Sequence, residues 1–335
     1  MDNLVKSSLY WKRKTVFITG CSGFLGSWLT KALLGRGSNV VGLIRDFTPH
    51  SLLYSTGIDK KITQVQGDLT DYPLLERILN EYEIDTIFHL AAQPIVETAN
   101  WSPLSTFESN IKGTWNLLEA ARQARMLKRI IIASSDKAYG EQNKLPYKET
   151  TSLEGKHPYD VSKSCADLLS LSYYYTYRLP LSILRCANFY GGGDFNFNRI
   201  IPDTIQTVYF GKPPVIRSDG RPIRDYLYIE DAVAAFLLVA ERMEMDVVVG
   251  QAFNFSYEVK YSVLQVVEMI LALMRARRLK PIIEDRAKNE ISRQYLSCEK
   301  SRKQLGWRPK FTFQEGLEKT IQWYIRYFKA RDKNS

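Results

Sequence analysis

Short apolar runs alternate with helical patterns along the first half of the chain. Strands are predicted at residues 15–19, 39–44, 62–67, 86–91, 129–134 and 181–186. Helices are predicted over residues 27–34, 72–82 and about 103–123, and a long helical run opens at Tyr159. Strands that alternate with helices in this way pair in parallel, so the order predicts an α/β fold with a doubly wound parallel sheet.

The pattern changes after residue 186, where prolines become frequent and strands become short. Short strands are predicted at residues 214–216 and 251–256, and helices near residues 230–243, 262–276 and 314–328. These parts predict a smaller α/β lobe that could close over a substrate bound beside the sheet. A run of three glycines, Gly191-Gly192-Gly193, suggests a loop whose backbone approaches a ligand, with a plain flexible turn as the alternative.

A turn rich in glycine follows the first predicted strand. Glycine lets the backbone approach a pyrophosphate, whose charge is stabilised by the amides and dipole at the start of the next helix. A glycine turn between a strand and a helix therefore predicts a dinucleotide site, against the alternative of a purely structural turn. The candidate cofactor residues of this turn are Gly20, Ser22, Gly23, Phe24, Leu25 and Gly26.

The carboxyl ends of the later strands supply further candidates, because parallel sheets bind their ligands there. Ile44 stands where NAD-binding enzymes commonly have an acidic residue, and Arg45 follows it as a candidate partner for the 2′-phosphate of NADP. We therefore expect NADP, although Asp46 leaves NAD open. Asp68 stands where an adenine could be contacted, and the sheet order would bring it near Gln93.

Four groups that can move protons or hold an alkoxide lie close in sequence. They are the Ser135 hydroxyl, the Asp136 carboxyl, the Lys137 amine and the Tyr159 phenol. Lys163 follows Tyr159 by four residues, so a helix would place both on one face. A free phenol titrates near ~10, and an adjacent ammonium would lower its pKa. The pair is thus a candidate base for a sugar or alcohol hydroxyl, unless it is only a solvated surface pair.

Length and residue usage limit the class of protein. At 335 residues the chain can hold one large α/β domain, alone or with a smaller lobe. Its four cysteines are too scattered for a zinc site or a disulfide scaffold, and its three histidines form no pair at metal-ligand spacing. We therefore expect no catalytic metal and a reducing compartment. With a polar start and no apolar run near the ~18 residues of a membrane helix, we expect a cytoplasmic protein without a targeting segment.

Positive charge is concentrated at the C-terminal end. The net charge is +10, and the residues from Arg275 onward contain 17 Lys and Arg against 7 Asp and Glu, which accounts for the whole excess. Such a segment could attract nucleic acid or anionic lipid. No RNA-binding signature or interleaved aromatic stripe accompanies it, so we favour a solvated surface that draws in an anionic substrate and expect no nucleic-acid or membrane partner.

Taken in order, these motifs resemble those of the extended short-chain dehydrogenase/reductases that act on nucleotide sugars, above all the CDP-glucose 4,6-dehydratases. The resemblance runs from about Trp11 to Phe328. The motifs that carry it are Gly20-x-x-Gly23-x-x-Gly26, Asp68, His89-Leu90-Ala91-Ala92-Gln93, Asn110, Ser135-Asp136-Lys137, Tyr159-x-x-x-Lys163, Arg185-x-x-Asn188-x-x-Gly191-Gly192-Gly193-Asp194 and Arg224-Asp225-Tyr226. The ordered set is specific for the superfamily and less informative about the substrate.

The resemblance implies a fold, a cofactor and a partner. It implies a Rossmann-type NAD(P) domain, mainly residues 1–185, a nucleotide-sugar lobe, mainly residues 186–335 with some chain exchange, and a homodimer. The implied cofactor contacts beyond the glycine turn and Arg45 are Asp68, Leu69, Ala91, Ala92, Gln93, Asn110, Tyr159 and Lys163. The implied substrate contacts are Gln93, Asn188, Arg199 and Arg224. Arginine suits a diphosphate because its planar fork donates two hydrogen bonds, although Arg199 could be a plain surface charge.

The family's chemistry, combined with the groups present, predicts a 4,6-dehydratase. Tyr159, helped by Lys163, would deprotonate the sugar 4-hydroxyl while hydride passes from C4 to the cofactor, with Ser135 orienting that hydroxyl. The 4-ketone makes the C5 proton acidic, so Asp136 would act as acid toward the 6-hydroxyl and Lys137 as base at C5. Hydride return to C6 would give a 4-keto-6-deoxy sugar.

Departures from the family pattern keep alternatives open. Many 4,6-dehydratases have Thr-Asp-Glu where this chain has Ser-Asp-Lys, so the acid and base could be exchanged, or a 5,6-unsaturated product could be released. A nucleotide-sugar 4-epimerase shares the Tyr-Lys pair but has no need of Asp136 and Lys137. A non-catalytic dinucleotide-binding scaffold needs no catalytic group at all. We favour dehydration of CDP-glucose or another nucleotide hexose such as UDP-N-acetylglucosamine.

Overall fold

The computed structural model describes residues 9–286 and 291–332. Residues 1–8, on which the expectation of no targeting segment partly rests, lie outside the described residues, as do residues 287–290 and 333–335 of the basic C-terminal end. The strands are β1 (Thr15–Thr19), β2 (Asn39–Ile44), β3 (Thr63–Gln66), β4 (Thr86–His89), β5 (Arg129–Ser135), β6 (Leu181–Cys186), β7 (Asn188–Tyr190), β8 (Val215–Ile216), β9 (Ile223–Arg224), β10 (Tyr226–Tyr228), β11 (Ala252–Phe255), β12 (Tyr261–Ser262) and β13 (Ile282–Ile283).

Helices connect most of these strands. Those that the structure bounds at both ends are α1 (Phe24–Leu34), α2 (Leu52–Ser55), α3 (Tyr72–Glu81), α4 (Val96–Trp101), α5 (Pro103–Phe107), α6 (Gly113–Gln123), α7 (Pro158–Tyr177), α8 (Ile200–Tyr209), α9 (Ile229–Arg242), α10 (Val263–Leu273), α11 (Glu299–Leu305) and α12 (Phe313–Asp332). Among the described helices, none combines the length and apolar character that crossing a bilayer requires.

A central sheet of seven strands has the order β11-β6-β5-β4-β1-β2-β3. Every neighbouring pair in it is parallel. The direction of winding reverses between β1 and β4, and a crevice opens at such a point beyond the carboxyl ends of the strands. The predicted doubly wound parallel sheet is confirmed. β11 lies well beyond residue 186, so the later part of the chain supplies one edge of the sheet.

The sheet is buried on both faces, which explains why its strands read as continuous apolar runs. Val16 and Ile18 of β1 join a core with helices α1, α9 and α12. Phe17, between them in sequence, joins a second core with α3 and α6 on the opposite face. Because successive strand residues point to opposite faces, one short strand anchors both layers.

The predicted helix over residues 103–123 is interrupted. The chain forms α5, then a π-helical turn at Glu108–Lys112, and then α6. A π-turn inserts one extra residue into the helix, a device frequent near functional sites. Here it carries Asn110, whose side chain is buried. The apolar period alone cannot reveal such an insertion, because the pattern on either side of it stays helical.

The interpretation of the three glycines as a ligand-facing loop does not match their surroundings. A side chain at Gly191 would collide with Ile229, one at Gly192 with Trp323 and one at Gly193 with Leu52. The glycines therefore allow close packing against side chains of the protein itself.

Candidate active site

The glycine turn forms a tight cradle at the carboxyl end of β1. Gly20 has a φ of +74°, in the left-handed region, and a Cβ there would lie 2.8 Å from the Ala91 amide nitrogen. The Gly23 amide donates to the Gly20 carbonyl at 3.0 Å, and a side chain at Gly26 would overlap that same carbonyl. Helix α1 starts at Phe24, so its free amides point into the cradle. The residues present fit the pyrophosphate of a dinucleotide.

The other residues of the turn have different surroundings. Ser22 and Phe24 are partly exposed, whereas the Leu25 side chain is buried in the core. Only the backbone of Leu25 is therefore suited to a cofactor contact.

Arg45 and Asp46 lie at the carboxyl end of β2 and are paired with each other. Nε of Arg45 donates to Oδ2 of Asp46 at 2.7 Å, and both side chains are exposed. A further hydrogen bond of 3.5 Å joins Arg45 to the Ser109 hydroxyl. A cation that suits NADP and an anion that suits NAD thus lie together where the adenosine ribose is expected.

Asp68 and Leu69 follow β3. Oδ1 of Asp68 accepts from the Thr70 amide at 2.8 Å, and this bond shapes the turn. Leu69 is buried, and its carbonyl accepts from Nδ2 of Asn116 at 3.0 Å. The backbone here is therefore held rigidly at the end of the sheet.

Gln93 and Asn110 connect the loop after β4 with helix α7. The Asn110 amide accepts from the Gln93 backbone N–H at 2.7 Å and donates to the Gln93 carbonyl at 3.2 Å and to the Ser162 hydroxyl at 2.9 Å. The Gln93 side chain bonds the backbone of Ile95 in both directions. Ala91 and Ala92 lie between these groups and the glycine turn, and the Ala91 amide donates to the Thr19 hydroxyl at 3.2 Å. Both predicted amide side chains hold the loop in place.

Ser135 and Asp136 form the centre of the site. Ser135 ends β5, and its hydroxyl donates to Oδ1 of Asp136 at 3.0 Å and accepts from the Lys137 amide at 3.2 Å. Asp136 is only 2% exposed, and its Oδ2 has no hydrogen-bond partner. Burial raises the pKa of Asp136 to about 6, against the lowering effect of Lys137 and Arg224. A carboxyl with this pKa can donate a proton near neutral pH.

Tyr159 and Lys163 stand in the first two turns of α7. Nζ of Lys163 donates to the Ala133 carbonyl of β5 at 2.9 Å. Tyr159 is partly exposed as a residue, but its phenol is enclosed, and burial raises its pKa to about 12. Arg199 is the largest of the charges that lower this pKa, and a hydrogen bond from Ser135 also lowers it. The expectation that Lys163 would bring the phenol below its ordinary pKa is wrong, because desolvation outweighs the nearby positive charges.

Two predicted substrate arginines lie at this same site. Arg199 precedes α8, its Nη1 donates to Oδ2 of Asp194 at 3.0 Å, and its charge acts on Tyr159. The positive charge of Arg224 in β9 lowers the pKa of Asp136. The later part of the chain therefore brings two cations to the catalytic side chains.

Asn188 begins β7 beside these groups. Its Nδ2 donates to the Asp225 carbonyl at 3.1 Å, and β7 pairs with β10 directly after that aspartate. Its side chain therefore links the two short strands next to Arg224.

Asp160 is a site residue that sequence reasoning missed. Burial raises its pKa, and Lys137 is the largest of the charges that lower it. The positive charge of Lys137 therefore lowers the pKa of two carboxyls, Asp136 and Asp160. A second carboxyl directly after Tyr159, in the first turn of a predicted helix, was the signal available in the sequence.

The assembled groups can divide two proton transfers between them. Ser135 lies close enough to Tyr159 to interact with its phenol, while Asp136 can donate a proton to a leaving oxygen nearby. Within the described residues, no group of three or more His, Cys, Asp or Glu side chains could hold a metal ion.

Comparison with known proteins agrees with this chemistry. The family described as GDP-mannose 4,6 dehydratase matches residues 17–320. A dTDP-glucose 4,6-dehydratase from Neisseria gonorrhoeae is 33% identical over 349 residues, covering 96% of this chain and 99% of that protein. A CDP-glucose 4,6-dehydratase from Salmonella typhimurium is 28% identical over 337 residues, covering 96% and 94%.

Solved structures include both predicted classes of enzyme. A dTDP-glucose 4,6-dehydratase from Bacillus anthracis in complex with NAD has a TM-score of 0.83 and 26% identity, covering 93% of this chain and 97% of that one. A UDP-glucose 4-epimerase from Thermotoga maritima with UDP-glucose has a TM-score of 0.85 and 25% identity, covering 94% and 99%. The fold is thus common to both, and the sequence match decides the family. The chain belongs to the GDP-mannose 4,6 dehydratase family.

Proposed function

We propose that the chain is a nucleotide-diphosphate-sugar 4,6-dehydratase. The observation that carries this proposal is Asp136, a buried carboxyl with a pKa of about 6 and an unpartnered Oδ2 beside Ser135. A 4-epimerase inverts C4 and needs no proton donor for a leaving 6-hydroxyl. Dehydration requires one, and Asp136 is suited to it. The curated relatives named above are 4,6-dehydratases, which favours the same reading.

The first chemical step removes the 4-hydroxyl proton. Tyr159 accepts it, while Ser135 orients the hydroxyl. The positive charge of Arg199 and the hydrogen bond from Ser135 favour the phenolate that forms. When bound in the cradle of Gly20, Gly23 and Gly26, the dinucleotide supplies the means to take hydride from C4 and to return it to C6.

The second step eliminates water across C5 and C6. The 4-ketone makes the C5 proton acidic, Lys137 removes it, and Asp136 protonates the departing 6-hydroxyl. The positive charge of Lys137 lowers the pKa of both Asp136 and Asp160. These two carboxylates in turn stabilise the ammonium that forms when the Lys137 amine takes up a proton. The product is a 4-keto-6-deoxy sugar, and a 5,6-unsaturated sugar is the alternative if hydride does not return.

The substrate in this proposal is a nucleotide hexose of the CDP-glucose type. Arg199 and Arg224 would contact its diphosphate, because each guanidinium offers a planar fork of donors. Asn188, whose side chain donates to the carbonyl of Asp225 next to Arg224, would contact the nucleotide. The relatives named for dTDP-glucose support other nucleotide bases at the same site.

We keep NADP as the preferred dinucleotide, on the strength of Arg45 at the end of β2. Asp46, which pairs with Arg45, and the NAD complex of the Bacillus anthracis enzyme support NAD as the alternative. In fluorescence titrations, Arg45→Ala should weaken NADP binding about tenfold and NAD binding much less, since one charged contact to the 2′-phosphate is lost. Tighter binding of NAD than of NADP by the unaltered protein would overturn the preference.

We also propose a homodimer built on α6 and α7. Leu168 and Tyr175, about two turns apart, are exposed on one side of α7, and Trp115 is exposed on α6. An apolar stripe of this kind on two neighbouring helices is the usual face of a helical interface.

A reducing, cytoplasmic location completes the proposal. All four cysteines are free, and Cys21, Cys186 and Cys298 are buried, as in proteins of reducing compartments. Fractionation of cells that express the chain tests this location.

The function is tested by product analysis. The protein is incubated with NAD or NADP and with CDP-glucose, UDP-glucose, dTDP-glucose, GDP-mannose or UDP-N-acetylglucosamine, and products are read by mass spectrometry and proton NMR. Loss of one water from one sugar identifies the substrate, and the C6 signal separates a methyl group from an alkene. Asp136→Asn should slow water loss by roughly 100- to 10,000-fold and leave C4 oxidation, whereas an epimerase would tolerate this change.

A further inference from the structure

A buried ion pair lies directly behind the catalytic groups. Arg185 in β6 and Asp167 in α7 form two parallel hydrogen bonds, both of 2.8 Å, from Nε to Oδ2 and from Nη2 to Oδ1. Their side chains are 4% and 0% exposed. Paired guanidinium and carboxylate planes with this geometry are among the strongest and most directional contacts in proteins. Neither residue has been given a role in the chemistry above.

The pair connects the two elements that carry the catalytic side chains. Asp167 lies one turn beyond Lys163 on α7. From β6, Nη1 of Arg185 donates to the Tyr139 hydroxyl at 3.1 Å, and Tyr139 ends the turn that begins at Asp136. The Tyr139 hydroxyl in turn donates to Oδ1 of Asn254 in β11 at 2.7 Å.

We propose that the Arg185–Asp167 pair is a positioning device for the reaction, which holds helix α7 against the catalytic turn and provides the counter-charge of Lys163. The proposal rests on the proposed function for its catalytic consequence, but not for its geometry. A simple packing role would stabilise the fold without setting the charge of Lys163.

The groups that face Lys163 show why Asp167 matters. They are His89 from β4, Cys186 from β6 and Asp167 from its own helix, with the Ala133 carbonyl from β5. Burial lowers the pKa of His89 to about 3 and raises that of Cys186 well above its usual value, so both are neutral at pH 7. Asp167 is thus the anion that supports the Lys163 ammonium.

The sign of the effect follows from the same groups. Burial lowers the pKa of Lys163 to about 8, and Asp167 is the largest influence in the opposite direction. Removal of its charge must lower that pKa further, because an opposite charge nearby contributes about 1–3 units. The ammonium would then be lost at lower pH, and with it a positive charge one helical turn from Tyr159.

The test measures the Lys163 titration directly. Lysines carrying ¹³C at Cε are followed by NMR, and the Lys163 signal is the one missing from Lys163→Arg. In Asp167→Asn its midpoint should move down by about 1–3 pH units. In single-turnover experiments, the pH above which C4 oxidation slows should decrease together with this midpoint.

Two further variants make the test decisive. Arg185→Gln combined with Asp167→Asn leaves no unpaired guanidinium in the interior, so it should fold where the single variant fails, and it should still lower the Lys163 midpoint. Asp85→Asn is the matched control, because Asp85 binds the buried Arg129 at 3.0 Å at the amino ends of β4 and β5, away from Lys163. It should reduce stability and leave the midpoint unchanged.

The outcomes separate this inference from the proposed function. An unchanged Lys163 midpoint in both Asp167 variants, or an equal shift in Asp85→Asn, would overturn the inference. A protein without turnover on any nucleotide sugar would contradict the proposed function, and the NMR titration would still decide the role of Asp167.

Discussion

Asp136 is the residue whose surroundings decide its chemistry. Its carboxyl is almost fully buried, one oxygen accepts a bond from Ser135, and the other has no partner. Desolvation disfavours the charged form and brings the pKa to about 6, although Lys137 and Arg224 act in the opposite direction. A fraction of the molecules therefore carries the acid form at neutral pH, ready to protonate a leaving oxygen.

This environment predicts the pH dependence of elimination. The acid form of Asp136 is present below its pKa and is lost as the pH rises, whereas the neutral form of the base Lys137 increases with pH and offsets that loss in the unaltered protein. With Lys137→Met, which removes the base, the remaining rate of water loss should therefore fall above about pH 6. Rapid-quench measurements of water loss across pH 5–8 test this, with C4 oxidation as the internal control. Asp136→Asn should remove this decrease with pH and slow elimination by roughly 100- to 10,000-fold. In Lys137→Met, a water-loss rate that rises steadily through this range would contradict the acid role.

Residue identities at the site were predictable from sequence, but their ionisation was not. Ser135, Asp136, Tyr159 and Lys163 could be selected because their spacing matches the chemistry. The pKa of the Tyr159 phenol could not be predicted, because it depends on how deeply the folded chain encloses the ring and on Arg199, which is far away in sequence. Asp160 was missed for the same reason, since only the fold brings it to Lys137.

At the scale of elements, helices α6 and α7 serve two purposes. Their inner faces pack on the sheet and carry Lys163, while their outer faces expose Trp115 and Leu168. Strong side-chain contacts on the inner face keep α7 in place whether or not the outer face is covered. A substitution on the outer face should therefore alter association without unfolding the helix.

The proposed dimer can be tested on this outer face. Leu168 is 56% exposed, so Leu168→Glu should leave the fold intact and shift the protein from dimer to monomer in sedimentation equilibrium, because a buried charge would oppose association. Val247→Glu is the matched control, since Val247 is 50% exposed outside these helices and should leave the mass unchanged. A monomer in the unaltered protein would contradict the proposal.

Long strands and helices could be predicted, whereas most of the two-residue strands could not. β1, β2 and β6 have the predicted bounds, because each is a buried run of five or six residues. Strands β9 and β12 contain two residues each and pair with one another, and Ile223 of β9 adds a single bridge to Arg293, so no period marks them. The π-turn at Glu108–Lys112 was invisible for a related reason, because one inserted residue does not disturb the apolar pattern enough to be read.

At the scale of the molecule, distant parts of the sequence meet at one end of the sheet. The glycine cradle follows β1, the catalytic turn follows β5, and Arg199 and Arg224 come from the later part of the chain. The parallel, doubly wound type of the sheet was predictable, since strands that alternate with helices pair in parallel. The place of β11 at the sheet edge was not, because it depends on contacts between residues far apart in sequence.

The central claim is that one site oxidises C4 and then eliminates water. It is tested most directly by a substrate that carries deuterium at C4, followed to product by mass spectrometry and proton NMR. The account predicts a 4-keto product that is lighter by one water, with the deuterium now in the C6 methyl group. A product of unchanged composition with an inverted C4 would contradict it, and would remove the roles assigned to Asp136 and Lys137.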